Sequence, residues 1–136
     1  MTLLLDTHAL VWLDAGSNRL SHNAIRAIDN ALAQRQLCVS AISFWEIGML
    51  IEKQRLSLPL PLTTWRTELI QKGLQEVAVN GSIAMLAAEL SEFHGDPMDR
   101  LIVATALTNN MALCSADNKI LDWAPRQGLA MLNPAN

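Results

Sequence analysis

The sequence predicts an α/β fold: three layers, α/β/α, around a central parallel sheet of about five short strands. Three observations carry this expectation. Short apolar runs stop abruptly at polar residues, as Leu3-Leu4-Leu5 stops at Asp6, which is how a strand buried on both faces reads. Segments with apolar residues at helical spacing separate those runs. The chain has 136 residues, room for one domain, so strands and helices that alternate throughout are expected to share one core over residues 1–136.

After the first strand, residues 7–14 read as a short helix closed by Ala15-Gly16-Ser17-Asn18. Ser21 suits an N-cap for a helix to about Gln34, with Ala24, Ile25, Ile28, Ala31 and Leu32 on one face. Leu37-Cys38-Val39 is the second buried strand. The helix that follows starts at Ser40 or Ser43, runs to about Lys53, and is expected to bury Ile42, Trp45, Met49 and Leu50 along one stripe. Pro59 and Pro61 deny their segment both helix and central strand. A helix from Thr63 or Thr64 then ends at Lys72-Gly73. Residues 75–79 suit a strand and residues 82–93 a helix. His94-Gly95 breaks the chain before Asp96-Pro97 opens an apolar helix to about Asn109. A strand over 111–114, a turn or short helix over 118–123 and a last strand over 129–132 complete the alternation.

Composition excludes several classes. With 51% hydrophobic and 17% charged residues the chain is not disordered. Its longest apolar runs fall far below the ~18 residues that cross a bilayer, so no membrane contact is expected. The N-terminus lacks the basic lead and cleavage site of a signal peptide. Cys38 and Cys114 both sit in apolar runs and read as reduced core thiols, which suits a cytoplasmic protein. A net charge of −3 lacks the basic footprint of a plain nucleic-acid-binding module. A cation held by acidic residues would offset that deficit locally.

In an open parallel sheet the active crevice lies at the C-terminal ends of the strands, where strand order reverses. Four acids fall at such positions. Asp6 ends the first strand, Glu46 lies early in the helix after the second, Asp99 is in the first turn of the Asp96-Pro97 helix, and Asp117 follows the 111–114 strand. Carboxylates crowded in a crevice repel one another, and a hard divalent cation removes that cost. Oxygen-only donors suit Mg²⁺ or Mn²⁺, and no Cys–His spacing suits zinc. Each acid also has a plainer reading. Asp6, Asp96, Asp99 and Asp117 can all serve helix N-termini. Glu46, between Trp45 and Ile47 in an apolar stretch, is not explained by capping.

Four blocks, taken in order, resemble the PIN-domain family: Leu3-Leu4-Leu5-Asp6-Thr7-His8-Ala9-Leu10-Val11-Trp12, Ser40-Ala41-Ile42-Ser43-Phe44-Trp45-Glu46-Ile47, Asp96-Pro97-Met98-Asp99-Arg100-Leu101-Ile102-Val103-Ala104 and Ser115-Ala116-Asp117. More narrowly they are similar to its VapC-type toxins, the ribonuclease halves of bacterial toxin–antitoxin pairs. The resemblance implies a metal-dependent endoribonuclease that cleaves RNA. It also implies a homodimer and a cognate antitoxin whose peptide masks the crevice. Asp6, Glu46, Asp99 and Asp117 fall on the family's acidic metal site, with Asp117 at its most variable position. Asp6 and Asp99 are expected as direct ligands, and Glu46 and Asp117 as ligands directly or through water. Asp99 or Glu46 could take the proton of the attacking water.

The neighbours of these acids have two readings each. Ser115 could orient a ligand or water. His8 is either a base or a side chain that bonds nearby backbone. Arg100 either contacts substrate phosphate or pairs with Asp96 or another acid. Lys53, Arg55, Arg19 and Lys119 read as solvated charges or as guides for RNA. The four tryptophans read as core or interface anchors rather than base-stacking platforms. Two other functions fit less well. A phosphatase-type hydrolase would use Asp6 as its nucleophile, but the second acid usual two residues later is replaced by His8. An inactive PIN-like module that binds RNA or protein would have no need of all four acids. A nuclease acting on DNA is compatible with the same residues.

Overall fold

The computed structural model describes residues 1–136 and contains five parallel strands: β1 (Leu3–Leu5), β2 (Leu37–Ser40), β3 (Gln75–Val77), β4 (Ala112–Cys114) and β5 (Met131–Leu132). They lie in the order β3-β2-β1-β4-β5. Seven helices flank them: α1 (Thr7–Ala15), α2 (His22–Ala33), α3 (Ala41–Glu52), α4 (Leu62–Gln71), α5 (Gly81–Glu89), α6 (Pro97–Thr108) and α7 (Asn118–Trp123). A 3₁₀ turn over Ala124–Gln127 leads α7 toward β5.

The strands are apolar on both faces because both faces are covered. Leu3, Leu5, Leu37, Val39, Ala112 and Cys114 point into a core completed by Ile28 of α2, Ile47 of α3 and Trp65 of α4. Leu4, Cys38 and Leu113 point the other way, against Ile102, Val103 and Ala106 of α6 and Trp123 of α7. Both cysteines are buried and free. The α/β/α layering follows from this alternation.

The helix boundaries follow the capping chemistry. Ser21 and Ser40 cap α2 and α3 through their hydroxyl oxygens. Gly16, at φ +63°, closes α1 in the left-handed conformation that a side chain resists. Helix α5 starts earlier than the spacing predicts, because Asn80 accepts the Ile83 N–H at 2.9 Å, and it ends at Glu89 rather than residue 93. Strands β3 and β5 are shorter than the expected 75–79 and 129–132. The buried stripe of α3 is also corrected: it is Ser43, Phe44 and Ile47, while Trp45 is 56% exposed. This helix is apolar nearly all round, so spacing alone does not say which side faces the sheet. The contacts of Phe44 with Trp65 and of Ile47 with the core decide it.

Candidate acidic active site

β1 is the central strand, pairing β2 on one side and β4 on the other, with Leu5 in register with Val39 and Cys114. Strand order reverses here, so the ends of β1 and β4 open the crevice. Asp6 leaves β1 with its N–H donating to the Cys114 carbonyl at 3.0 Å. Its side chain then caps α1, Oδ1 accepting the Ala9 N–H at 2.8 Å. Burial pushes the Asp6 carboxyl above the usual carboxylate range. The Ser115 hydroxyl, the Ala9 N–H and His8 pull it down, and Asp117 pushes it up again.

Ser115, fully buried at the end of β4, also accepts the Asp117 N–H at 3.1 Å. It therefore ties the first and fourth acids together. Asp117 caps α7, accepting the Lys119 N–H at 2.8 Å. On the other side, the Thr7 hydroxyl donates to Ser43 Oγ at 2.9 Å, a buried bond that locks α1 to α3, the helix that carries Glu46. Glu46 is half-buried rather than enclosed, and its carboxylate makes no hydrogen bond or ion pair with the protein.

Asp96 and Asp99 divide the work at the start of α6. Asp96 is the N-cap, its Oδ1 accepting the Asp99 N–H at 2.8 Å, and Pro97 occupies the first turn. Asp99 is half-buried and is pushed up to about 7, first by burial, then by Asp96, Asp117 and Glu46. Only the backbone N–H of Asp96 pulls it down. The structure thus brings Asp6, Glu46, Asp99 and Asp117 into one electrostatic neighbourhood.

It does not bring them into a finished cage. No three Asp, Glu, His or Cys side chains stand close enough together to hold one metal ion as they are. Like charges keep apart, and two of the four acids are tied down by capping bonds. The donor set, oxygen throughout with no cysteine or histidine cluster, fits a hard divalent ion that retains several waters and takes one or two carboxylates directly.

Two neighbours are also corrected. Arg100 contacts neither the crevice nor an acid. Its guanidinium donates to the carbonyls of Ala87, Phe93, Leu90 and Ala88, at 2.8, 2.8, 3.1 and 3.4 Å, closing the C-terminus of α5 and the loop after it. His8 is exposed and packs its ring against Trp12, with centroids 6.1 Å apart, instead of bonding backbone. Sequence reasoning passed over Gly95. A Cβ there would stand 2.4 Å from the Phe93 ring and 3.0 Å from the Asp99 Cβ, so the approach to the third acid requires glycine. The signal was present in His94-Gly95 but reads only as a break.

A profile of the family described as "PIN domain" matches residues 3–124. The chain belongs to the PIN-domain family. Ribonuclease VapC22 of Mycobacterium tuberculosis (strain ATCC 25618 / H37Rv) is 38% identical over 120 residues, covering 88% of this chain and 89% of that protein. Two solved structures share the fold. A toxin–antitoxin complex from Klebsiella pneumoniae matches with a TM-score of 0.68 at 20% identity. VapBC2 from Rickettsia felis, bound to a DNA fragment from its promoter, matches with a TM-score of 0.71 at 17% identity. Each covers 98% of both chains. The three-layer PIN fold expected from the sequence is thus present. No helix of the structure is long and apolar enough to cross a membrane.

Proposed function

We propose that this PIN-domain protein is a metal-dependent endoribonuclease and the toxin of a toxin–antitoxin pair. The observation that carries the reading is the convergence of four carboxylates on the switch point of the sheet, two of them pushed upward, in a chain 38% identical to a ribonuclease. Residues 1–136 are read as one domain, since β5 completes the sheet beyond residue 124. Toxin–antitoxin complexes among the structural relatives support a cognate antitoxin as partner. The same kinship supports a homodimer and a cytoplasmic location.

Asp6 and Asp99 would hold a Mg²⁺ or Mn²⁺ ion directly, and Glu46 and Asp117 through its waters. When bound, such an ion supplies an activated water and offsets charge on the phosphoryl oxygens of RNA. Ser115 holds Asp6 and Asp117 in place. Glu46, with no cap to serve, is the acid we assign to receive the proton the water gives up. The backbone bonds to Asp6 and Asp99 restrict where these two side chains can sit.

A phosphatase in which Asp6 attacks as a nucleophile fits less well, because Asp6 is 8% exposed and held by the Ala9 N–H and the Ser115 hydroxyl. The deciding experiment is RNA cleavage with Mg²⁺ by wild type and by Asp99→Asn, with folding checked by circular dichroism. Loss of cleavage in a folded variant is expected, and undiminished cleavage by purified Asp99→Asn protein would sink the assignment. Expression of the wild type alone is expected to arrest growth.

A further inference from the structure

Beside the acids, α1 carries a second constellation that the acidic site does not use. Trp12 is half-buried, packed in part against the core, with the His8 ring tilted toward it at 6.1 Å between centroids. The Arg19 guanidinium lies over the Trp12 ring, 5.4 Å from its centroid. Arg19 is exposed and makes no ion pair or side-chain hydrogen bond, so its N–H donors are free. Arg66 and Arg100, by contrast, are spent on Glu76 and on backbone carbonyls. Trp12, Asn18, Arg19 and Ser21 line an open cavity of about 340 Å³ whose far wall is Ala116 and Ala135. Ala116 stands between Ser115 and Asp117 in the chain, so this cavity borders the segment that carries the fourth acid. Trp12 lies six positions after the N-cap Asp6, roughly 9 Å of rise at 1.5 Å per residue.

We propose that Trp12, Arg19 and Asn18 form a nucleotide subsite, which stacks a base of single-stranded RNA and holds its backbone next to the acids. An aromatic face with an arginine held against it is what a sequence-tolerant single-strand site is made of. The free guanidinium fork suits a phosphate, and the Asn18 carboxamide, unbonded within the protein, offers both a donor and an acceptor to a base edge. An overall negative protein needs such a local cationic foothold, and Arg19 supplies it on this flank of the crevice. The subsite rests on the ribonuclease reading and names how that site holds its substrate.

The test uses the full chain carrying Asp6→Asn, a labelled short single-stranded RNA of randomised sequence, and a salt titration of affinity in Mg²⁺ buffer. Arg19→Gln is expected to weaken binding about tenfold and to make the plot of log affinity against log salt shallower by about 0.7. Trp12→Leu is expected to weaken it roughly 5- to 100-fold, while Trp12→Phe keeps most of the affinity. Arg126→Gln, which removes the same charge from the turn before β5, is expected to change neither quantity. Should Trp12→Leu fail to fold, Arg19→Gln and Trp12→Phe decide the matter, since Arg19 is exposed. Unchanged affinity and salt slope on adding Arg19→Gln to the Asp6→Asn chain, while the chain with Asp6 intact cleaves RNA, would overturn the subsite alone. A wild type that neither binds nor cleaves RNA would overturn the subsite and the ribonuclease reading together.

Discussion

The β1–α1 and α5–α6 junctions each deliver an aspartate to the same crevice, by different means. At β1–α1 a single residue does both jobs: Asp6 caps its helix and faces the site. At α5–α6 the jobs are split, Asp96 capping and Asp99 facing the site. Asp6 is deeply buried but is offset by a backbone N–H, a hydroxyl and a nearby histidine. Asp99 is less buried but sits among three other carboxylates with one backbone N–H to relieve it, and is pushed up to about 7. Burial is the first cause of the upward push in both acids, and the two differ in the partners that add to it or relieve it.

The largest expected effects fall on activity and treat the two junctions alike. Asp6→Asn and Asp99→Asn should each cut Mg²⁺-dependent RNA cleavage by more than about 100-fold, beyond the range found for residues that only support a ligand. Comparable single-turnover rates in either variant would break the pairing of the two junctions. Stability then separates them. Arg100→Met should destabilise the α5–α6 side by about 3 kcal/mol in urea unfolding, because several carbonyls lose a charged donor. Gly95→Ala should cost about 1–3 kcal/mol by forcing Phe93 and Asp99 apart. Replacing Asp6 by Ala should cost about 1 kcal/mol more than replacing it by Asn, which can still cap α1. At position 99 the same two replacements should differ less, since the α6 cap is Asp96.

The last effect is one of pH. Both Asp6 and Asp99 titrate above their ordinary value of 3.8, so the folded chain binds more protons than the unfolded chain as pH rises from about 4 toward 7. Stability of the metal-free protein should accordingly decline across that window. Asp99→Asn should flatten the decline, measured as melting temperature against pH. Added Mg²⁺ should raise the wild-type melting temperature more at pH 8 than at pH 5.5, where the carboxyls still hold protons. A shift of equal size at both pH values would count against a carboxylate site.

Much of this was readable along the chain. Leu3-Leu4-Leu5 and Leu37-Cys38-Val39 announce strands buried on both faces, and Ser21, Asp96 and Gly16 announce their helix ends, because caps and apolar runs act through neighbouring residues. The four acids were legible as a set through their positions after predicted strands. The side on which a uniformly apolar helix rests was not: Trp45 lies outside and Phe44 inside, since only packing against Trp65 selects the face. Nor was the occupation of Arg100, whose partners lie 7 to 13 residues away on another element.

The order of residues alone determined which stretches become strands and helices and which acids stand at their ends, since those choices rest on local hydrogen bonding and on the period of apolar side chains. Only the folded chain decided which acid is tied down and which is left crowded, which arginine is consumed and which is free beside Trp12. Those outcomes depend on the distances between elements remote in sequence, and charge interactions and hydrogen bonds act through such distances.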